Sequence, residues 1–180
     1  MTEEGQLLEQ LKSETHKEQA FKVLIKLYKE RLYWHIRNIV KSHDDADDVL
    51  QNTFIKIFRN INTFKGESQL YSWMYRIATN ESITLINKNA KRLKISSEEA
   101  QQLAINNLAS DVYFEGDEFQ LKLQKAIATL PEKQQLVFNM KYFEELKYKD
   151  MAEILETSEG ALKASYHIAV KKIEAYLTNS

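Results

Sequence analysis

Four aspartates, Asp44, Asp45, Asp47 and Asp48, fall within five positions of the stretch "SHDDADDVLQNTF". Acids at that density suit one of three tasks: holding a divalent cation, neutralising the positive end of a helix, or meeting a basic partner. On a helical wheel Asp44, Asp48, Gln51 and Ile55 form one stripe, with Asp47 at its border with the apolar face. The helix dipole rewards acids only in the first turn, by about 0.3–1 kcal/mol each. That accounts for Asp44 and Asp45 and leaves Ile55 unexplained, an apolar residue in a polar stripe. A mixed stripe of acid, amide and apolar side chains is a composition with which a protein partner is met.

Two further constellations carry chemistry. Phe64, Lys65, Tyr71, Trp73, Tyr75, Arg76, Asn80 and Asn87 interleave aromatics, amides and bases. Unpaired bases stack on aromatic rings for about 1–3 kcal/mol each, so this mixture suits single-stranded nucleic acid. Trp73 and Ile77 point nearer the core, whereas Arg76 and Asn80 share an outer flank. The other is "KYKDMAEILETSEGALKASYHIAVKK". Its short helix, three-residue turn Glu156-Thr157-Ser158 and second helix, with small Ala152 facing apolar Leu162, make a helix-turn-helix pattern. Ser158 is a fitting cap for the second helix. The outward residues there are Glu159, Gly160, Lys163, Ala164, His167 and Lys171, placed to meet base edges in a major groove.

Elements that could position these groups are nearly all helical. Four glycines and one proline are few for 180 residues, and no stretch alternates apolar and polar residues for long. Apolar periodicity predicts helices over 17–40, through Leu50–Ile61, from Leu70 into the basic tail Lys88–Lys94, then over 119–130, after Pro131, and over 147–155 and 159–177. Pro131 is expected in the first turn of its helix, where a missing N–H costs nothing. From Ile95 to Glu118 the chain has six acids and no base, weak periodicity and one short helix expected at 97–105. It reads as an acidic linker. The fold class is therefore all-α: two small helical domains, 1–92 and 118–180, joined by a linker over 93–117, the second domain being the helix-turn-helix.

Composition narrows the function. The chain has no cysteine, which excludes disulfides and thiolate chemistry and suits a cytoplasmic location. No apolar run reaches the ~20 residues of a membrane span, so no membrane insertion is expected, nor does the first stretch have the basic-then-apolar order of a secretory signal. Phosphate-binding glycine loops, nucleophile elbows and His-Glu-x-x-His pairs are missing, so no catalytic residue and no cofactor is expected. The net charge of −1 conceals segregation: Lys88–Lys94 carries four positive charges and no acid.

Together the segments resemble a sigma factor of the extracytoplasmic-function (ECF) group. "DDADDVLQNTFIKIFRNINTFKGESQLYSWMYRIATNESI" is similar to the family's second conserved region, and "LPEKQQLVFNMKYFEELKYKDMAEILETSEGALKASYHIAVKKI" to its fourth. The resemblance implies a promoter-specificity subunit that binds bacterial core RNA polymerase and directs initiation. It implies a polymerase-docking face at Asp45, Asp47, Asp48, Gln51, Phe54 and Ile55, with Phe54 serving mainly as core. Capture of melted minus-ten bases is implied for Phe64, Lys65, Gly66, Ser68, Tyr75, Arg76 and Asn80, with Lys88 opening the basic tail along the phosphates. Reading of the duplex minus-thirty-five element is implied for Ser158, Glu159, Gly160, Lys163, Ala164, His167 and Lys171. The family also implies an anti-sigma factor as partner and a monomer when free. Its tether threads the polymerase toward the active cleft, although a solvated spacer explains the acids of the linker equally well.

The sequence departs from the family's pattern in three places. Glu156 stands where many relatives carry a turn glycine, and Ser165 and Ile168 where relatives often have arginines; Ile168 either faces DNA or packs inward. Two rival functions fit parts of the chain. One is a dimeric DNA-binding regulator. The other is a magnesium-dependent diphosphate enzyme, since "DDADD" satisfies the Asp-Asp-x-x-Asp pattern of isoprenyl-diphosphate synthases, but no second acidic motif completes a clamp, and the calcium-loop pattern fails as well.

Overall fold

The computed structural model describes residues 2–111 and 114–179. Val112 and Tyr113 of the expected linker, and the terminal residues Met1 and Ser180, lie outside the described residues. Among those described, nine α-helices follow one another without a strand: α1 Glu3–Lys12, α2 Lys17–Val40, α3 His43–Asn60, α4 Leu70–Leu93, α5 Ser97–Asn106, α6 Glu118–Ala128, α7 Glu132–Tyr142, α8 Tyr148–Leu155 and α9 Glu159–Asn179.

The periodicities that predict the helices also set their packing. On α2 the residues Leu24, Leu32 and Ile36 are fully buried, against Ile57 of α3 and Leu70, Met74 and Ala78 of α4. Each such Leu, Ile or Met contributes about 1.5–3 kcal/mol by leaving water. α1, which sequence periodicity did not single out, adds Leu11 to this core and is capped by Thr2, whose hydroxyl accepts from Gly5 N at 3.2 Å. The loop from α3 to α4 turns at Gly66 with φ +77, a left-handed conformation that a side chain resists.

The C-terminal helices have a core of their own. Leu123, Ala126 and Ile127 of α6 pack with Leu130, Phe138, Ala169 and Ile173. Pro131 stands one position before the first turn of α7, as its cap, and its carbonyl accepts from Gln135 N at 3.0 Å. The expectation of a first-turn proline is thus off by one residue; the missing N–H is harmless at either place.

Sequence alone did not show how closely the two halves associate. Val137, Met140, Leu146, Met151, Ile154 and Leu162 from the C-terminal half belong to the same buried cluster as Leu32 and Met74. The linker is only partly open coil. Its helix α5 starts at a capping box in which Ser96 and Glu99 exchange side-chain-to-backbone hydrogen bonds. Ile105 and Leu108 are buried, and Gln101 accepts from Gln135 of α7 at 3.0 Å.

Candidate nucleic-acid interface

The acidic face is built by the start of α3. Ser42 caps the helix by accepting from Asp45 N at 3.3 Å, so all four aspartates lie in its first two turns. Ala46, Val49, Leu50, Thr53, Phe54 and Ile57 turn inward, which leaves Asp47, Asp48, Gln51 and Ile55 exposed on the opposite side. Ile55 is 46% exposed. Phe54 is core, edge-on to Phe21. Asp45 is half-buried; burial, and then the neighbouring Asp48 and Asp44, push its carboxyl above the usual range, against the pull of Arg92. Asp47 keeps a loose partner, His43 Nε2 at 3.4 Å, whose Nδ1 is bonded to the Tyr33 hydroxyl at 2.7 Å. Among the described residues no three His, Cys, Asp or Glu side chains gather closely enough to hold a metal ion.

The residues expected at melted DNA divide into two groups. Lys65 and Gly66 in the loop, and Asn80 and Lys88 along α4, are exposed, with Ser68 half-covered. Phe64 and Tyr75 are buried. Lys12 donates to the Phe64 carbonyl at 2.7 Å, and the Phe64 ring leans on Trp73 at 5.3 Å, so Trp73 lines the core as its spacing suggested. The Tyr75 ring lies 4.6 Å from that of His35, and burial, followed by the charge of Glu144, pushes its hydroxyl up to about 12. Arg76 is half-buried and engaged with the C-terminal half: its Nε donates to the Glu153 carbonyl at 3.2 Å, and its guanidinium lies 3.5 Å from the Glu156 carboxylate.

The helix-turn-helix forms as its spacing predicts. α8 closes on Glu156 with φ 52, and Thr157 N donates back to the Ala152 carbonyl at 3.2 Å. Ser158 caps α9, its hydroxyl accepting from Ala161 N at 3.2 Å. Leu162 and Ala169 anchor α9 inward. Glu159, Gly160, Lys163, Ala164, His167 and Lys171 are all exposed, the last five on one continuous stripe of the helix. Ile168 is 45% exposed, so of its two expected placements the outward one holds.

Sequence reasoning did not find the polar contacts that tie the first domain to the linker and to the C-terminal half. His35 on α2 meets Glu144 between α7 and α8 at 2.9 Å. Arg37 pairs with Asp111 at 2.7 Å, Lys41 donates to Gln124 of α6 at 2.7 Å, and Asn139 of α7 donates to the Asn38 carbonyl at 3.1 Å. These partners are 74 to 109 positions apart, beyond any local pattern. Burial of its amine, with Arg37 beside it, lowers Lys41 from 10.5 to about 7.

Comparison with known proteins matches two separate parts of the chain. Residues 24–92 match the family described as Sigma-70 region 2, and residues 120–173 that described as Sigma-70, region 4. The chain is 30% identical over 163 residues to the ECF RNA polymerase sigma-E factor of Haemophilus influenzae, covering 86% of each chain. It is 28% identical over 156 residues to the ECF RNA polymerase sigma factor SigW of Bacillus subtilis, covering 82% of this chain and 83% of that one. In fold it resembles the sigma factor RpoE of Bartonella quintana, solved with the anti-sigma factor NepR, at a TM-score of 0.66 and 19% identity over 88% of this chain and 96% of that one.

Proposed function

This chain belongs to the ECF group of the sigma-70 family, as an RNA polymerase sigma factor that directs promoter-specific transcription, and from that premise we propose how its faces divide the work. The family is one of regulators rather than enzymes. Asp45, Asp47, Asp48, Gln51 and Ile55 dock on basic residues of core RNA polymerase, with Phe54 holding the helix in shape from beneath. The observation that carries this assignment is the exposure of Ile55 inside an acidic stripe. Acids alone would serve solubility, but an uncovered isoleucine among them fits a partner that buries it.

The exposed stripe of α9 reads the upstream element as duplex, with Lys163, His167 and Lys171 toward phosphates and base edges. Lys65, Gly66, Ser68, Arg76 and Asn80 capture melted minus-ten bases, and Lys88 leads the strand along the basic tail. Phe64 and Tyr75 support that surface from the core in the free protein. Duplex contacts place the complex, and single-strand capture favours the open state. Because Arg76 is tied to α8 in the free protein, engagement of the minus-ten strand requires the C-terminal domain to move aside. An anti-sigma factor that keeps the faces covered is the expected regulator, by analogy with the complex solved for the Bartonella relative. The protein acts in the cytoplasm as a monomer; among the described residues no helix is long and apolar enough to cross a membrane.

The division of roles is tested with two DNA probes and core polymerase. A duplex bearing only the upstream element and a fork bearing only melted minus-ten bases are bound by the holoenzyme in parallel. Changes in α9 should weaken only the first, and changes at Asn80 or Lys65 only the second. Crossed effects would reverse the assignment.

A further inference from the structure

α1 reaches both ends of the loop that joins α3 to α4. Lys12, in its last turn, donates to the Phe64 carbonyl at 2.7 Å, and the same amine stands 6.0 Å from the centre of the Phe64 ring. Glu4, in its first turn, accepts from Leu70 N at 3.2 Å through Oε1. The two side chains leave α1 about two turns apart. Phe64 and Leu70, which they hold, are the buried residues at which the loop leaves the core and returns to it.

Each end needs what it receives. Phe64 is 5% exposed with its ring against Trp73, and its N–H is bonded to the Ile61 carbonyl at 3.2 Å, so its own carbonyl is the group left to fix. At the other end, Gln69 precedes α4 but makes no side-chain bond to the first turn. The N–H groups there have no partner within the helix, and the positive end of the helix dipole favours a carboxylate as the partner. Glu4 supplies it from within the N-terminal domain, where Leu11 of the same helix is fully buried. Glu153 of α8 also approaches, 3.5 Å from Gln69 N, a contact that a parted C-terminal domain would take with it. Between the two ends Lys65, Gly66 and Glu67 are exposed, and nothing lies within 4 Å of where a Cβ on Gly66 would stand. The exposed stretch is held from its ends rather than by packing at its tip.

We infer that α1 braces the strand-capturing loop, with Lys12 and Glu4 as its positioning residues: they fix the loop before DNA arrives, so that Lys65 and Gly66 meet melted bases already in place. The inference deepens the functional reading above and rests on it for the ligand, a melted DNA strand. A free loop loses conformational entropy when it binds, whereas a loop fixed beforehand has already lost it. Lys12 and Glu4 are themselves exposed, and buried Leu11 anchors the helix, so removing the two charged ends leaves the core of α1 in place.

The chain has no cysteine, so a single cysteine at exposed Glu67 accepts a spin label. In the free protein, Lys12→Met combined with Glu4→Ala should let the label tumble at least about twofold faster on the nanosecond scale of loop motion. Lys12→Arg alone, which keeps a donor for the Phe64 carbonyl, should leave the label as restrained as in the parent. An equally restrained label in the double variant overturns the bracing, whatever the DNA does. Without the label, holoenzyme carrying the double variant should bind a fork with melted minus-ten bases at least about fivefold more weakly, as expected for one or two lost hydrogen bonds. Lys12→Arg should restore what Lys12→Met loses, and a duplex with only the upstream element should be bound within about twofold of the parent by all of them. Equal losses on both probes would mean general damage to the fold and would overturn the inference. Lys65→Ala and Asn80→Ala, measured in parallel, separate the two failures. If they weaken fork binding and the double variant does not, the inference alone fails; if they have no effect, the functional reading fails and the inference with it.

Discussion

Arg76, on the helix that carries the candidate strand-capturing residues, donates to the main-chain carbonyl of Glu153 in the helix-turn-helix. A residue suited to melted DNA is thereby occupied by the domain suited to duplex DNA. The contact is a charge-assisted hydrogen bond, a class that contributes about 1.5–3 kcal/mol. It joins Met151 and Ile154 of α8, which are packed into the same core as Met74. The free protein is consequently closed over part of the surface proposed to bind the melted strand.

Replacing Arg76 by alanine should have two effects of different kinds. The closed form should lose about 1–2 kcal/mol, read as faster hydrogen exchange in α8 at amides protected by closure. Binding of the holoenzyme to a melted minus-ten strand should also fall, by at least about tenfold. A variant with unchanged exchange and unchanged strand affinity would remove Arg76 from both roles.

Glu156 ends α8 in the left-handed region, φ 52, with its side chain 73% exposed and a long ion pair, 3.5 Å, to Arg76. A non-glycine residue there costs about 1–2 kcal/mol, and an exposed ion pair returns little. Glu156→Gly should therefore raise the thermal midpoint by about 2–4 °C. A fall in midpoint would show that the Arg76 pair outweighs the backbone strain. The position is the one at which the sequence departs from the family's turn glycine, and its backbone is left-handed, where glycine is favoured.

Asp47 and Asp48 are exposed and support no buried contact, so Asp47→Ala with Asp48→Ala should leave the thermal midpoint within about 2 °C of the parent. Affinity for core polymerase should drop by about tenfold or more, chiefly at low salt, where charge steering is strongest. Retained affinity would defeat the docking assignment.

On α9, Lys163→Ala with His167→Ala should weaken initiation where the upstream element is required and lower the salt slope of duplex binding by about 1. Core binding should be unaffected. Lysines supply the positive charge on that part of the stripe, while Ser165 and Ile168 add none, so the slope should be shallow from the outset. Loss of core affinity in this variant would mean that the domains' roles are exchanged.

Much of this architecture was legible because it is local. The three- and four-residue apolar steps from Phe21 to Val40 predict α2, and Ser158 marks the cap of α9. The acidic stripe was readable because helix geometry alone decides that Asp48, Gln51 and Ile55 share a side. What could not be read is long-range. Tyr75 looked like a base-stacking platform, but whether an aromatic on α4 is exposed depends on what covers it, and His35 and the C-terminal domain cover it. The same holds for Lys41, an ordinary lysine in sequence whose amine is buried and donates to Gln124 of α6, 83 positions away.

The most direct measurement is run-off transcription from fragmented genomic DNA, with bacterial core RNA polymerase in the presence and absence of this protein. New transcripts that begin downstream of two regularly spaced elements are the predicted result, and they would reveal the promoter sequence as well. A protein that is not retained by core enzyme and starts no transcript from any fragment would contradict the account.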